Sequence, residues 1–229
     1  MHLYIEFEIM KVQTLVLKFK NEIEPYEIKL FRGAVIDSLQ EKNILFHNHS
    51  EEGFRYSYPL IQYKRIGRKA AIVCIGKGTE AIGEFFSSGN YKYNIGERDL
   101  VFEIDYVKAY HTEVQCWKEY LYYKVNNWLA LNHDNYEIFT AMDSLVEKTQ
   151  LLEKIMIGNL LSMLKGIDYR MDDEVKMKIA DIKGQHLVKF KGVRFMTFDV
   201  EIKCNLSLPD FIGIGKNASI GFGTLCRKK

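Results

Sequence analysis

Leu60-Ile-Gln-Tyr-Lys-Arg-Ile-Gly-Arg-Lys-Ala-Ala-Ile-Val-Cys-Ile75 reads as two apolar, β-rich runs turned at Gly67-Arg68, which predicts an antiparallel strand pair. Upstream, residues 11–19 place apolar side chains at Val12, Leu15, Val16, Leu17 and Phe19, as in a buried strand. Between these runs, Pro25 is suited to the first turn of a helix. Beyond it Ile28, Leu30, Phe31, Val35 and Leu39 recur at helical spacing to about residue 40. Downstream, Gly76 and Gly78 lead into a predicted helix over residues 79–86, and residues 101–104 read as a closing strand. The order is strand, helix, strand, strand, helix, strand, which defines the ferredoxin-like α+β fold also used by RNA-recognition domains.

A looser version of the same order follows. Residues 102–110 and 114–123 read as strands. Residues 143–165 read as a helix with Leu145, Thr149, Leu152, Ile155, Met156 and Leu160 on one face. Alternating strands are expected at 175–182, 186–190 and 195–206, with a short last strand at the end. We therefore expect tandem ferredoxin-like domains dividing at residues 1–105 and 106–229. Residues 110–136 are rich in aromatics (Trp117, Tyr120, Tyr122, Tyr123, Trp128) and read as core, with an insertion, a dimer surface or base stacking left open.

The chain has 229 residues, 47% of them hydrophobic, and three prolines, as expected of a folded protein with ample core. Its apolar runs are short and broken by charge, so no membrane-spanning helix is expected. The start, Met1-His-Leu-Tyr-Ile-Glu-Phe-Glu8, is acidic and alternating, unlike a secretory signal. Cys74, Cys116, Cys204 and Cys226 are scattered without a Cys-x-x-Cys pair and read as buried thiols of an intracellular, cytoplasmic protein rather than zinc ligands or disulfides. The net charge of +2 lacks the footprint of a strongly basic coat protein. Basic residues nevertheless cluster at Lys64-Arg65 with Arg68-Lys69, at Lys189, Lys191 and Arg194, and at Arg227-Lys228-Lys229. These clusters are compatible with RNA binding or with a solvated surface.

Near the carboxy terminus, Ile212-Gly213-Ile-Gly215-Lys216-Asn217-Ala-Ser-Ile-Gly221-Phe-Gly223-Thr224 holds four glycines in eleven residues. Such a loop either forms tight turns or turns main-chain N–H groups toward an anionic backbone. The chain ends too soon for a following helix, which disfavours the Walker and dinucleotide-binding loops. A polymer backbone lying across the loop remains compatible.

His47 and His49 lie two residues apart in a polar loop after the first helix, with Arg55, Tyr56 and Lys64 downstream. Histidine titrates near neutral pH, so it takes a proton from one oxygen and gives it to another. This set suits phosphodiester cleavage by an RNA 2′-hydroxyl: one histidine deprotonates the 2′-OH, and the second histidine or Tyr56 supports the 5′-oxygen leaving group. Lys64 or Arg55 then stabilises the phosphorane. RNA supplies its own nucleophile, so this chemistry calls for no metal or cofactor. The competing reading is a metal site, which would need further donors such as Glu51, Glu52, His111 or His133.

Together the glycine motif, the segment from Arg32-Gly33 through Leu45-Phe-His-Asn-His49, and Phe54-Arg-Tyr-Ser-Tyr-Pro-Leu-Ile-Gln-Tyr-Lys64 resemble the CRISPR repeat-RNA endoribonucleases. These are members of the RAMP superfamily with tandem ferredoxin-like folds, and the likeness is to the subgroup found with type I-B systems. The resemblance implies metal-independent cleavage of precursor CRISPR RNA within each repeat, leaving a 2′,3′-cyclic phosphate and a 5′-hydroxyl. It implies catalytic His47, His49 and Tyr56, with His49 favoured as base and His47 as its partner, and Lys64 as a weaker carry-over. Gly213, Gly215, Lys216, Asn217, Gly221, Gly223, Arg55 and Arg65 are the expected RNA contacts. The expected partner is precursor CRISPR RNA, with CRISPR effector subunits and a homodimer as further options. A non-catalytic RNA-binding subunit on the same fold is the alternative reading.

Overall fold

The computed structural model describes residues 10–39, 44–47, 49–50, 53–54, 58–89, 91–190 and 192–228; the side chains of residues 47, 49, 50, 53, 54 and 190 are outside that description. Strand β1 (Met10–Glu22) leads through a 3-10 turn (Pro25–Glu27) into α1 (Ile28–Asp37). Short elements follow: α2 (Ile44–His47), β2 (His49–Ser50) and β3 (Gly53–Phe54). Next come β4 (Ile61–Ile66), β5 (Lys69–Ile75), α3 (Gly78–Ser88), β6 (Lys92–Ile95), β7 (Arg98–Val101) and β8 (Ile104–Val114). The second half comprises β9 (Cys116–Trp128), α4 (His133–Ala141), α5 (Leu145–Gly166), β10 (Met177–Phe190), β11 (Val193–Leu206) and β12 (Thr224–Arg227).

The two four-stranded antiparallel sheets run β4-β5-β1-β8 and β10-β11-β9-β12. In each unit the order is second, third, first, fourth strand, so the ferredoxin-like topology occurs twice. In the second unit, the connection where another helix would stand is the glycine-rich segment, whose only helical element is a 3-10 turn (Ala218–Ile220).

Three strand expectations shift. The closing strand of the first sheet is β8, and residues 98–101 instead pair with β6 as a hairpin turned at Gly96. Asn21 clips the chain between the two, donating to the Val101 carbonyl and accepting from the Glu103 amide. Sheet membership therefore changes at residue 115, ten residues beyond the expected division at 105. The aromatic stretch is the first strand of the second sheet, not an insertion. Lastly, the run expected as two strands is the single strand β10, whose register against β11 shifts between Ile179 and Asp181 and again between Ile182 and Gly184. Such bulges absorb an extra residue without ending the strand.

Alternation along β1 explains how the halves join. Leu17 and Phe19 face the helices α1 and α3 in one apolar cluster with Phe31 and Phe85. Val12 and Val16, with Val73 and Ile75 of β5, belong to a second cluster that includes Leu160 and Leu164 of α5 and Ile212 and Ile214 of the glycine segment. Both faces of the first sheet are thus covered. α5 is started by Ser144, whose hydroxyl accepts from the Glu147 amide, the usual remedy for an unpaired first-turn donor. All four cysteines are free thiols. Among the described residues, no helix is long and apolar enough to cross a membrane.

Candidate nucleic-acid interface

Phe46 is buried to 1% exposure in the α1/α3 cluster, and it immediately precedes His47. The same cluster takes in Ile220, with Phe222 packed against it, from the glycine segment. The histidine segment and the glycine segment, 174 residues apart between Phe46 and Ile220, are therefore anchored to one apolar cluster. His47 ends α2, and His49 opens β2, paired with Phe54 of β3. Arg55 and Tyr56 lie outside the described residues. His111 lines a cleft with Lys11, Trp117 and Asp210, and His133 pairs with Glu137 at the start of α4.

The glycine segment is held from two sides. Gly213 donates its amide to Gln62 Oε1 at 2.7 Å, and Lys64 Nζ donates to the Ala218 carbonyl at 2.9 Å. Both partners are on β4, on the face opposite Ile61 and Tyr63, which enter the helix-side cluster. On the other side Trp128 Nε1 donates to Asn159 Oδ1 at 3.0 Å. A Cβ on Gly215 would sit 2.5 Å from Asn159 Oδ1 and 2.9 Å from Trp128 Nε1. Residues Gly215, Asn217, Gly221 and Gly223 all have positive φ, which suits glycine and asparagine.

These contacts correct part of the expected RNA surface. Gly213 and Gly223 are buried, and their amides are committed to Gln62 and to the Asn127 carbonyl, so they have no donor left for phosphate. Their absent Cβ serves close packing. Lys216 is exposed, its ammonium 5.7 Å from the centre of the Phe195 ring, and Asn217 is half-buried beside it. Gly215 and Gly221 are half-buried. Arg65 is tied to the first unit, with Nε donating to the Ile23 carbonyl at 2.6 Å and Nη2 3.8 Å from Glu24.

Lys64 differs most from expectation. It is fully buried, and burial pulls its amine down to about 7. A side chain enclosed in this way does not touch a phosphate at the surface. Gln62 was not among the expected site residues; the signal that pairs it with Lys64 is the alternation of β4, which puts residues 62 and 64 on one face.

In the second sheet the aromatic stretch splits between core and surface. Tyr123 and Trp128 are core, whereas Trp117, Tyr120 and Tyr122 are exposed, with Lys203 Nζ 5.6 Å from the Tyr120 ring centre.

The fold is a pair of ferredoxin-like units, the second of which carries the glycine segment that packs against the first. More narrowly, the Cas6b amino-terminal domain model matches residues 10–115 and the Cas6b carboxy-terminal domain model residues 115–228, so the chain belongs to the Cas6b family. A crystal structure of Cas6b is similar over 96% of this chain and all of its own, at 28% identity and a TM-score of 0.86. A structure of the CRISPR RNA processing endoribonuclease Cas6b is similar over the same shares, at 26% identity and a TM-score of 0.74. An uncharacterized protein of Methanocaldococcus jannaschii is 34% identical over 145 residues, covering 61% of this chain and 97% of its own length.

Proposed function

We propose that this protein cleaves precursor CRISPR RNA within its repeats without a metal ion. The RNA 2′-oxygen attacks the adjacent phosphorus, the bond from phosphorus to the 5′-oxygen breaks, and a 2′,3′-cyclic phosphate and a 5′-hydroxyl result. His49 takes the 2′-hydroxyl proton, and His47 or Tyr56 supplies a proton to the departing 5′-oxygen. The exposed tip of the glycine segment, Lys216 and Asn217, contacts the RNA backbone.

The observation that carries this reading is the common anchoring of the two motifs. Phe46 fixes the chain next to His47 in the same cluster that receives Ile220 and Phe222. Likeness to the CRISPR RNA processing endoribonuclease Cas6b supports the choice of substrate.

The test is cleavage of a cognate repeat RNA in EDTA by the protein and by its His47→Ala/His49→Ala double variant. The protein is expected to cut in EDTA and to leave a cyclic phosphate end. The double variant is expected to lose about 100-fold or more of the rate, the usual scale for acid–base catalysis, while still retaining the RNA. Unaltered product yield in that variant would transfer the histidines' role elsewhere, and RNA retention without cleavage by the unmodified protein would favour a non-catalytic RNA-binding subunit.

A further inference from the structure

The amine of Lys64 is enclosed where a longer apolar side chain would be cheaper to bury. It reaches from β4 of the first unit to the glycine segment of the second, and its acceptor is the carbonyl of Ala218, the first residue of the 3-10 turn. That turn is bounded by Asn217 and Gly221, both in the left-handed region, and it follows directly on the exposed Lys216. Gly213 provides the space. A Cβ there would lie 2.6 Å from Lys64 Nζ and 2.8 Å from both the Cβ and the carbonyl oxygen of Ala218. Two positions along β4, Gln62 is itself fully buried, donates to the Pro59 carbonyl through its amide nitrogen, and accepts from the Gly213 amide through its oxygen. Its side-chain amide is therefore oriented by one partner to receive the other.

We propose that Lys64 and Gln62 form a clamp that holds the glycine segment against the first unit, making Lys64 a positioning residue for RNA binding. Lys64 acts through the Ala218 carbonyl and fixes the pitch of the turn that presents Lys216 and Asn217. Gly213 is the slot that admits the amine, so the two residues are mutually required. This rests on the reading of the segment's tip as an RNA contact.

The test uses the full chain and the Lys64→Met variant, which keeps an unbranched stem one atom shorter and removes the donor. Amide hydrogen exchange across residues 214–220 is measured in the free protein, and the Kd for repeat RNA and the single-turnover rate at saturating RNA are measured in parallel. The clamp predicts faster exchange and a Kd weakened about tenfold, the scale of one hydrogen bond, with the saturating rate within about twofold. Gly213→Ala pushes on the same junction from the loop side and is expected to give the same pattern; it stands in if Lys64→Met fails to fold. Unchanged exchange overturns the clamp whatever the affinity. Faster exchange with unchanged affinity removes the segment from RNA contact, and so overturns the positioning role along with the reading it rests on. A loss confined to the saturating rate is the signature of direct transition-state contact and also contradicts positioning.

Discussion

At Lys64 the chain accepts a buried amine, and the cost of that burial has a pH signature. Burial lowers the group to about 7 from its ordinary value of 10.5 and outweighs the opposing effect of Cys226 on β12. Between these values the unfolded chain carries a proton that the folded chain lacks, so stability rises with pH through the window; below about 7 both states are protonated and the penalty is at its full size. Relative to Lys64→Met, the wild type is expected to gain about 1.4 kcal/mol per pH unit between those limits. Urea unfolding at two pH values inside the window checks this, and parallel curves for the two proteins would contradict it. The residue was visible in the sequence as part of a basic cluster, but its depth was not. Basic side chains are seldom buried, so composition alone assigns them to the surface.

The elements were more legible than the side chains they carry. Strands β4 and β5, the helices α1, α3 and α5, and the glycine turn follow local periodicity and turn chemistry, and they stand within a few residues of expectation. Where the reading slipped, tertiary partners decided. Asn21 determines where β7 ends and β8 begins, and pairing with β11 carries β10 through Lys183-Gly184 as one strand. In the histidine segment, alternation and helical spacing are too short to register, yet the buried Phe46 anchors it, with Leu45 packed against the same cluster. Phe46→Ala is accordingly expected to cost about 3–5 kcal/mol, the usual range for a buried phenylalanine. Its cleavage rate should also fall under conditions in which the variant is still folded. Urea unfolding and single-turnover cleavage together check this; a destabilised variant with full activity would show that Phe46 supports the fold without placing the histidines.

Across the whole molecule, the two units share a core. Val12, Val16, Val73 and Ile75 of the first sheet enter the cluster built by α5, the second sheet and the glycine segment, while Gln62 and Lys64 add polar ties at the same junction. A boundary of this kind predicts one cooperative unfolding transition, with calorimetric and van't Hoff enthalpies in agreement. Two separate transitions would mean that the junction contributes little. The tandem fold was readable because both units repeat one strand order, each with a helix following its first strand. The covering of the first sheet's second face was not readable, since alternation reports that a face is buried and not by what. The chemistry we propose for this architecture is attack by the RNA's own 2′-oxygen. Its most direct test is a repeat RNA carrying a single 2′-deoxy nucleotide on the 5′ side of the cut phosphate, incubated with the protein in EDTA. The account predicts that the all-ribose repeat is cut and the substituted one binds but stays intact; cleavage of the substituted repeat at the same phosphate would contradict it.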